Sequence, residues 1–373
     1  MPVEDRSALA AVDKAKQYLA ENAVAVNPVL EQFWEAKRRE WQPLGESVAG
    51  AADAYCHLTA NGKKIRAGLV KMGYDACHHE SSPRSTVANG VLRAAGSVEI
   101  LHNAFLIHDD IVDHSDLRRS APTVHRRYAD KARSRFNTEL EALAYGQAVA
   151  LNFGDKGQAL AQELLLSSGF PEGVLLRAVT LLSEVTIDTV AGQLLDVADV
   201  KLCELTEAQV LRIHEYKTAH YTVMLPLLLG GVLAGVHESV LEGIRSYAIP
   251  IGIAFQIQDD ILGLYGDSDV LGKPVDSDVK EGKKTLLFVH AYEAGSAQER
   301  SVLERVHGNS DLAPGDLERV REIVRSTGAL SRSEELARKL VRQGKDCIQG
   351  TALAPHWKRI LGGLADYFIL RRY

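Results

Sequence analysis

Apolar residues recur at three- and four-residue spacing along most of the chain, which is the pattern of helices with one buried face. The stretches VLRAAGSVEILHNAFLIHDDIVD, VLLRAVTLLSEVTIDTVAGQLLDV and LARKLVRQGKDCIQGTAL show it most clearly. Alternating apolar and polar runs between turn residues, as in strands, are scarce. Glycine and proline separate the helical stretches, at Pro83, Gly169–Pro171, Gly266–Pro274 and Pro314–Gly315. The pattern predicts an all-α fold.

The chain contains no internal repeat and no proline- or serine-rich linker, so we predict one domain over residues 1–373. The segment 126–141, RRYADKARSRFNTELE, is polar and mixed in charge, which predicts a surface insertion, as a loop or short solvated helix. The longest uncharged run, 221–236, is short for a membrane span and contains Pro226. We therefore expect it to be a buried core helix and expect no transmembrane segment.

Composition narrows the class of protein. With 373 residues, 46% of them hydrophobic, the chain can bury a large core. Its formal net charge is −6 and it has no long basic run, which disfavours nucleic-acid binding. The N-terminus lacks the apolar segment of a signal peptide. Together with four widely spaced cysteines, interpreted as reduced thiols, this predicts a cytoplasmic protein; the cysteines are Cys56, Cys77, Cys203 and Cys347.

The stretch LIHDDIVDHSDLRR, residues 106–119, ends an apolar helix with carboxylates. Asp109 and Asp113 are four residues apart, so in a helix they share one face, with Cβ atoms ~5–6 Å apart and Asp110 to one side. Carboxylates this close repel each other and need a cation, and no lysine is nearby. Mg²⁺ would serve, because it prefers oxygen ligands and bridges carboxylates to phosphates. Taken alone, a solvated acidic helix end explains the stretch equally well.

A second stretch changes that balance. FQIQDDILGLYGD, residues 255–267, is another apolar helix that ends in paired aspartates, Asp259 and Asp260. Two such helices suggest two acidic walls that face one cavity. Metal ions between the walls could hold a diphosphate.

Diphosphate binding also requires fixed positive charge, preferably from arginine. Four basic clusters qualify: NGKKIRAG, LRR, YKTA and LGKPVDSDVKEGKKT. Singly, each resembles a solvated surface cluster, but basic groups follow both acidic walls. The phosphate-binding loop of nucleotide hydrolases, G-x-x-x-x-G-K-[ST], is absent from the sequence, so nucleotide hydrolysis loses support.

These blocks, in this order, resemble the trans-isoprenyl diphosphate synthases, also called polyprenyl synthetases. GKKIR, HDDIVDHSDLRR, GQLLD, YKTA, FQIQDD and GKPVDSDVKEGKKT match the family blocks over roughly residues 45 to 300. The resemblance implies the isoprenoid synthase fold, an antiparallel helix bundle around a deep central cavity, and a homodimer. It also implies an enzyme that adds isopentenyl diphosphate head-to-tail to an allylic diphosphate, with Mg²⁺ as cofactor and three ions in each active site.

The resemblance also assigns roles to residues. It implies that the metal ligands are Asp109, Asp113 and Asp259, which with Arg118 and Lys217 form the catalytic set. The residues implied to bind the allylic diphosphate are Arg118, Lys217, Thr218, Gln256, Lys273 and Lys283. Those implied to bind isopentenyl diphosphate are Lys63, Arg66, His102 and Arg119.

Product length is expected to depend on residues that precede Asp109 on its helix. Phe105, four residues back, lies ~6 Å below the metal site on nearly the same face, and Ala104 leaves space beside it. By resemblance, one aromatic and one small residue here predict a twenty-carbon product, geranylgeranyl diphosphate. Fifteen and twenty-five carbons are the alternatives. Phe105 could also be ordinary core packing, with the cavity floor on another helix.

The sequence departs from the family pattern at Asn61, Ala67 and Gly263. Gly263 replaces the third aspartate of the second acidic motif. We expect this to be tolerated, because by resemblance Asp259 is the principal ligand and Asp267 follows one turn after Gly263. Two rival functions remain. A class I terpene cyclase would not need the GKKIR block, and a non-catalytic partner subunit would be expected to lack more of the acidic and basic residues.

Overall fold

The computed structural model describes residues 3–60, 62–78, 84–266 and 275–371. These residues are helical almost throughout, which confirms the predicted all-α class. In chain order the α-helices are α1 (Val3–Ala25), α2 (Asn27–Trp41), α3 (Glu46–Ala60), α4 (Ile65–Cys77), α5 (Arg84–Val112), α6 (Val124–Ala132), α7 (Glu139–Leu166), α8 (Glu172–Val197), α9 (Glu207–Ile213), α10 (Leu225–Ala234), α11 (Glu238–Tyr265), α12 (Ser277–Lys280), α13 (Leu286–Ala294), α14 (Ala297–Val306), α15 (Asp316–Ser326), α16 (Ala329–Gln349) and α17 (Pro355–Leu370).

Shorter elements complete the described chain. An eleven-residue π-helix, His214–Met224, connects α9 to α10, and 3₁₀ turns lie at Gln42–Leu44, Arg133–Arg135 and Leu202–Glu204. The only strands within the described ranges are β1 (Leu117–Arg118) and β2 (Ala121–Pro122), which pair antiparallel as a small hairpin. The sequence pattern did not predict this hairpin, because two-residue strands are too short to show alternation.

The chain divides into two compact units. The N-unit comprises Gln17–Leu182 and Pro226–Val236. The C-unit comprises Met1–Lys16, Ser183–Leu225 and His237–Tyr373. The first acidic stretch belongs to the N-unit and the second to the C-unit. The single domain over residues 1–373 stays a prediction.

Aromatic residues anchor the core of the N-unit, where α5 packs on α7 and α2 packs on α3. The rings of Trp34 and Tyr55 stack with centroids 5.1 Å apart. Both polar atoms of the pair are satisfied: Trp34 Nε1 donates to Thr59 Oγ1 at 3.2 Å, and the Tyr55 hydroxyl donates to the carbonyl of Phe153 at 2.8 Å. Large aromatic side chains can therefore be buried here without the cost of an unmade hydrogen bond.

Two glycines let α4 and α10 meet at backbone distance. A Cβ at Gly73 would overlap the carbonyl of Leu227, and one at Gly230 would overlap the backbone of Tyr74 and Val70. Close packing at this crossing fixes the axis of α4. The axis matters because the basic residues of GKKIR lie at the first turn of that helix.

The segment 126–141 differs from its prediction as a surface insertion. Its first half completes α6, and Tyr128, Ala129 and Ala132 are buried. Tyr128 meets the ring of Phe153 on α7 edge-on, with centroids 5.4 Å apart. Only residues 133–141 are exposed throughout. The polar composition reflects the outer face of an amphipathic helix that packs on α7.

In the C-unit, α11 packs against α16 and against the π-helix. Gly252 lets α11 approach Ala219 closely, because a Cβ would lie 2.5 Å from that residue's Cα. The fully buried hydroxyl of Tyr247 donates to the carbonyl of Leu361 at 2.7 Å, which ties α11 to α17. These contacts hold the end of α11, where Asp259 and Asp260 lie.

The uncharged run 221–236 falls in the π-helix and α10, and its residues are mostly buried, as predicted. Within the described ranges, no helix combines the length and the apolar character needed to cross a bilayer.

Candidate active site

The end of α5 keeps Asp109 and Asp113 on one face. The N–H of Asp113 donates to the carbonyl of Asp109 at 2.8 Å, so the helical spacing continues one residue past Val112. Both aspartates are partly exposed, whereas Asp110 is only 2% exposed. The two outer carboxylates are therefore presented together, and the middle one points into the protein.

Asp110 has a cationic partner, Arg118. The guanidinium donates to Oδ1 of Asp110 through both Nε, at 2.8 Å, and Nη2. Burial opposes the charge of Arg118, but the Asp110 carboxylate outweighs it and raises the pKa of the guanidinium above its ordinary value. No lysine lies near these carboxylates in the sequence. The cationic neighbour of Asp110 is instead an arginine, Arg118, that the hairpin brings back to the helix.

The hairpin turn positions the two arginines. Arg119 and Ser120 both have positive φ, 53° and 61°, as the two central residues of a two-residue hairpin turn of type I′ require. Neither is glycine, so the turn carries strain that the surrounding contacts must offset. One such contact joins Nη1 of Arg119 to the carbonyl of Leu58 at 2.7 Å. The Arg119 guanidinium also lies against Gly62, where a Cβ would come within 3.2 Å of it.

His102 lies among three guanidinium groups. It is 8% exposed, and burial together with the charges of Arg66, Arg119 and Arg118 lowers its pKa well below the ordinary value. His102 is therefore neutral near pH 7. A neutral imidazole can sit within this cationic cluster without adding a fourth charge.

Glu99 is a residue of this region that the sequence analysis missed. It lies one turn before His102 on α5, is 4% exposed, and accepts a hydrogen bond from the backbone N–H of Ala67 at 2.9 Å. It thus satisfies an N–H in the first turn of α4 and places negative charge near Lys64 and Arg119. The signal was available, since a lone glutamate in the apolar run SVEILH is unusual.

The two lysines of GKKIR have different environments. Lys64 is 6% exposed, and its Nζ donates to the carbonyls of Ala60 and Gly62, at 3.3 Å each. Burial lowers its pKa. Lys63 is exposed. Lys64 therefore stabilises the loop before α4, and Lys63 is the one of the two that can reach a ligand.

At the end of α11, as at the end of α5, the first aspartate of the pair is the more exposed and the second is buried. Asp259 is exposed, whereas Asp260 is 7% exposed. Gln256 links Asp260 to the π-helix: its Nε2 donates to Asp260 Oδ1 at 2.7 Å, and its Oε1 accepts from Thr218 Oγ1 at 2.9 Å. On the other side, His214 Nε2 lies 3.1 Å from Asp260 Oδ2. Asp260 thus anchors the network that holds Thr218 and Gln256 in place.

The π-helix also carries Lys217. Its Nζ donates to Oδ2 of Asp196, at the end of α8, at 2.6 Å. Gly192 makes this approach possible, because any side chain there would overlap the backbone of Lys217. Lys284 reaches the same end of α8 and donates to the carbonyls of Leu195 and Asp196 in its last turn, and to that of Ala198 just beyond the helix at 2.7 Å. Lys284 caps the helix that carries Asp196, which favours a cation at this end.

Asp259 forms an ion pair with Arg371, which follows α17. Nη2 of Arg371 donates to Asp259 Oδ1 at 3.0 Å and to the carbonyl of Phe255 at 3.1 Å. Its guanidinium also lies 3.8 Å from the centroid of the Phe255 ring. The sequence analysis did not single out Arg371, and no local motif marks it, because it lies 112 residues from Asp259 along the chain.

Gly263 and Lys283 meet at Asp278. Nζ of Lys283 donates to Asp278 Oδ1 at 2.8 Å. A Cβ at Gly263 would overlap Oδ2 of the same carboxylate and would lie 3.1 Å from its Cγ. Lys273 and Asp267, which the sequence analysis also named, lie outside the described residues.

The residues proposed to set product length lie within the N-unit core. Ala104 is fully buried, and a Cβ added to Gly157 of α7 would lie only 2.9 Å from the Cβ of Ala104. Phe105 is partly buried. A bulkier residue at Ala104 would therefore press on α7, so Ala104→Phe does not isolate an effect on product length; Phe105 is the better position for a test.

The donor atoms suit a hard divalent cation. In the N-unit, Asp109 and Asp113 offer carboxylates at helical spacing. In the C-unit, the space beside Gly263 is filled by the carboxylate of Asp278. No three His, Cys, Asp or Glu side chains within the described ranges are grouped closely enough to complete a metal site.

Comparisons with known proteins agree with this chemistry. The family model for polyprenyl synthetases matches residues 49–324. A geranylgeranyl diphosphate synthase of Saccharolobus solfataricus is 32% identical over 290 residues, which cover 77% of this chain and 80% of the relative. A (2E,6E)-farnesyl diphosphate synthase of Mycobacterium bovis is 30% identical over 354 residues, covering 93% and 90%.

Among solved structures, the geranylgeranyl pyrophosphate synthase of Corynebacterium glutamicum has a TM-score of 0.87 and 30% identity. The match covers 95% of this chain and 99% of that one. That protein was crystallised with isoprenyl diphosphate and magnesium. The fold predicted from the sequence, that of the isoprenoid synthases, is therefore confirmed.

The environment of His102 predicts that stability falls in acid. Its folded pKa is lowered, so below about pH 6.5 the unfolded chain takes up a proton that the folded protein does not. Stability from this group is complete above that pH and decreases below it, by at most ~1.4 kcal/mol per pH unit. His102→Gln should make the free energy of unfolding less dependent on pH between about pH 5 and 6.5, as measured by urea denaturation. The exposed His356, changed to Gln, is the matched control, and an unaltered slope in His102→Gln would contradict the assignment.

Proposed function

The chain belongs to the polyprenyl synthetase family and is a trans-prenyltransferase, and on that premise we propose that it joins isopentenyl diphosphate head-to-tail to an allylic diphosphate. The single observation that carries the proposal is the shared face of Asp109 and Asp113 beside a cluster of fixed cations. Paired carboxylates can hold metal ions, and arginines next to them can bind the phosphates that those ions contact.

In the proposed reaction, the C–O bond of the allylic diphosphate breaks and the diphosphate leaves with the electron pair. Asp109, Asp113 and Asp259 would hold Mg²⁺, which would supply Lewis-acid stabilisation of the charge that develops on the leaving group. By resemblance, three ions bind in each active site. Lys217 and Lys283 add fixed positive charge to the same group.

The residues proposed to bind the allylic diphosphate are Arg118, Lys217, Thr218, Gln256, Lys273 and Lys283. Three of them are held by carboxylates: Arg118 by Asp110, and the ammonium groups of Lys217 and Lys283 by Asp196 and Asp278. We propose that an incoming diphosphate shares these ammonium groups with the carboxylates. The side chains are then already oriented when substrate binds, which lowers the entropic cost of binding.

We propose that isopentenyl diphosphate binds to Lys63, Arg66, His102 and Arg119. Its double bond attacks the allylic cation, and loss of a proton, to the departed diphosphate by resemblance, leaves an allylic product one unit longer. The basic environment of His102 supports an anion site here: burial, together with three neighbouring guanidinium charges, lowers its pKa. A terpene cyclase would have no use for a second anion site, so this cluster favours the synthase.

Metal-dependent turnover is the test of this proposal. Asp109→Asn should lower kcat by a factor of about a hundred or more, because it removes a metal ligand that acts on the developing charge. Diphosphate release measures the rate. Asp116→Asn is the control, as Asp116 is an exposed carboxylate beyond the helix that pairs with Arg126. Full activity in EDTA, or a normal rate for Asp109→Asn, would refute the proposal.

We propose geranylgeranyl diphosphate as the product, although relatives carry the names of both farnesyl and geranylgeranyl synthases. The support is the partly buried Phe105 beside the small Ala104. Phe105→Ala should shift the product to longer chains, because it removes a ring from the path of the growing chain. Mass spectrometry of the products reports the shift, with Phe136→Ala as the control at an exposed phenylalanine. An unchanged distribution from an active variant would place the floor on another helix.

We propose a cytoplasmic homodimer. The four cysteines form no disulfides, which is compatible with a reducing compartment. Helix α8 exposes large apolar side chains along one face: Leu176 is 70%, Ile187 69% and Leu194 64% exposed. Exposed apolar residues that recur along one helix face are typical of protein interfaces, and a second copy of the chain is the family's usual partner.

Light scattering after size exclusion should give the mass of two chains. Ile187→Glu should shift the protein towards one chain, because it would bury a charge in the interface. Leu44→Glu, a change at a residue that is 67% exposed outside α8, should leave the mass unchanged. A wild-type protein with the mass of one chain at all concentrations would contradict the homodimer.

A further inference from the structure

We infer that Asp278 takes the place of the aspartate that the second acidic motif lacks at Gly263. The inference rests on the proposed function and deepens it, because it names a further residue that holds the metal of that site. A motif with four-residue spacing would place its second carboxylate on the face of α11 that carries Asp259. At Gly263 this face has no side chain of its own.

The carboxylate of Asp278 fills that position from a different element, α12. A Cβ on Gly263 would overlap Asp278 Oδ2 and lie 3.1 Å from Cγ. Oδ2 of Asp278 therefore lies in the space that the side chain of an aspartate at 263 would enter. Glycine is therefore required at 263, because the Asp278 carboxylate occupies the space of a side chain there.

The orientation of the carboxylate is fixed on its other side. Nζ of Lys283 donates to Oδ1 at 2.8 Å, and the N–H of Lys283 donates to the carbonyl of Asp278 at 3.0 Å. With Oδ1 held by this ion pair, Oδ2 faces α11. The Asp278 residue is 9% exposed, so few other rotamers are open to it. Lys283 therefore acts on the metal site through Asp278 as well as on the diphosphate.

The geometry allows both carboxylates to hold one ion. Residues four apart on a helix have Cβ atoms ~5–6 Å apart, and a carboxylate oxygen reaches Mg²⁺ at ~2.0–2.1 Å. Oxygens of Asp259 and of a carboxylate beside position 263 can therefore meet at the same cation. The ammonium group of Lys283 compensates part of the negative charge that Asp278 adds. A pair of aspartates on one helix would lack this compensation.

The experiment moves the carboxylate from one element to the other. Binding of Mn²⁺ in the presence of inorganic diphosphate, followed by electron paramagnetic resonance, gives metal affinity without turnover. Asp278→Asn keeps the shape and removes the charge, and should weaken Mn²⁺ affinity by about tenfold to a hundredfold. Gly263→Ala should weaken it as well, because the methyl group displaces the carboxylate. The double variant Gly263→Asp/Asp278→Ala should bind more tightly than Asp278→Ala alone.

Two controls separate this effect from misfolding. Asp276→Asn removes a carboxylate from the same segment, and Gly362→Ala adds a methyl group to a helix where nothing lies within 4 Å. Both should keep wild-type Mn²⁺ affinity, and circular dichroism should show every variant folded. If Gly263→Ala fails to fold, Asp278→Asn and the double variant still decide the matter.

The outcomes distinguish the inference from the function on which it rests. Wild-type protein that binds no Mn²⁺ with diphosphate would contradict the proposed function itself. Wild-type binding with unchanged affinity in Asp278→Asn would overturn only the role of Asp278. A double variant no better than Asp278→Ala would show that a carboxylate at 263 cannot replace the one at 278, and would also overturn the inference.

Discussion

Repulsion between like charges is the constraint on which both acidic helix ends depend. Each end gathers several carboxylates, whose mutual repulsion in a partly buried environment would destabilise the fold if no cation were near them. The protein pairs them locally: Arg118 with Asp110 in the N-unit, and Lys217 with Asp196 in the C-unit. The pairing also orients the lysines and arginines, so that a diphosphate would meet side chains that are already in place.

The division of labour within each acidic pair follows from the same constraint. In both pairs the second aspartate is buried and hydrogen-bonded, and the first is the more exposed. Asp110 is held by Arg118, and Asp260 by Gln256. One aspartate of each pair therefore ties the helix end to its neighbours. The other is the more exposed, and in the second pair it is held by Arg371. A repeated Asp-Asp dipeptide thus encodes one buried, structural carboxylate and one more exposed carboxylate, which is the one that we propose as a metal ligand.

Much of this arrangement could be predicted from the sequence, because local spacing determines it. Helical periodicity gave the all-α class, and the order of motifs gave the family. Local spacing could not show which member of a pair is buried, because that depends on contacts distant in sequence. Asp110 needed the hairpin, whose strands are too short to show a pattern, and Asp259 is reached by Arg371 from the C-terminus. Residues 133–141 of segment 126–141 are exposed, but its first part belongs to a packed helix. Composition could not show this, because an amphipathic helix of mostly polar composition has the same average composition as a loop.

The central claim is that the acidic and basic residues form a site that joins two diphosphate substrates rather than one that cyclises a single one. The most direct test is to incubate the purified protein with Mg²⁺, farnesyl diphosphate and isotope-labelled isopentenyl diphosphate, and to identify the product by mass spectrometry. The account predicts a linear allylic diphosphate that carries the label, with one inorganic diphosphate released for each unit added. A cyclic hydrocarbon without label, or no consumption of isopentenyl diphosphate with any allylic primer, would contradict it.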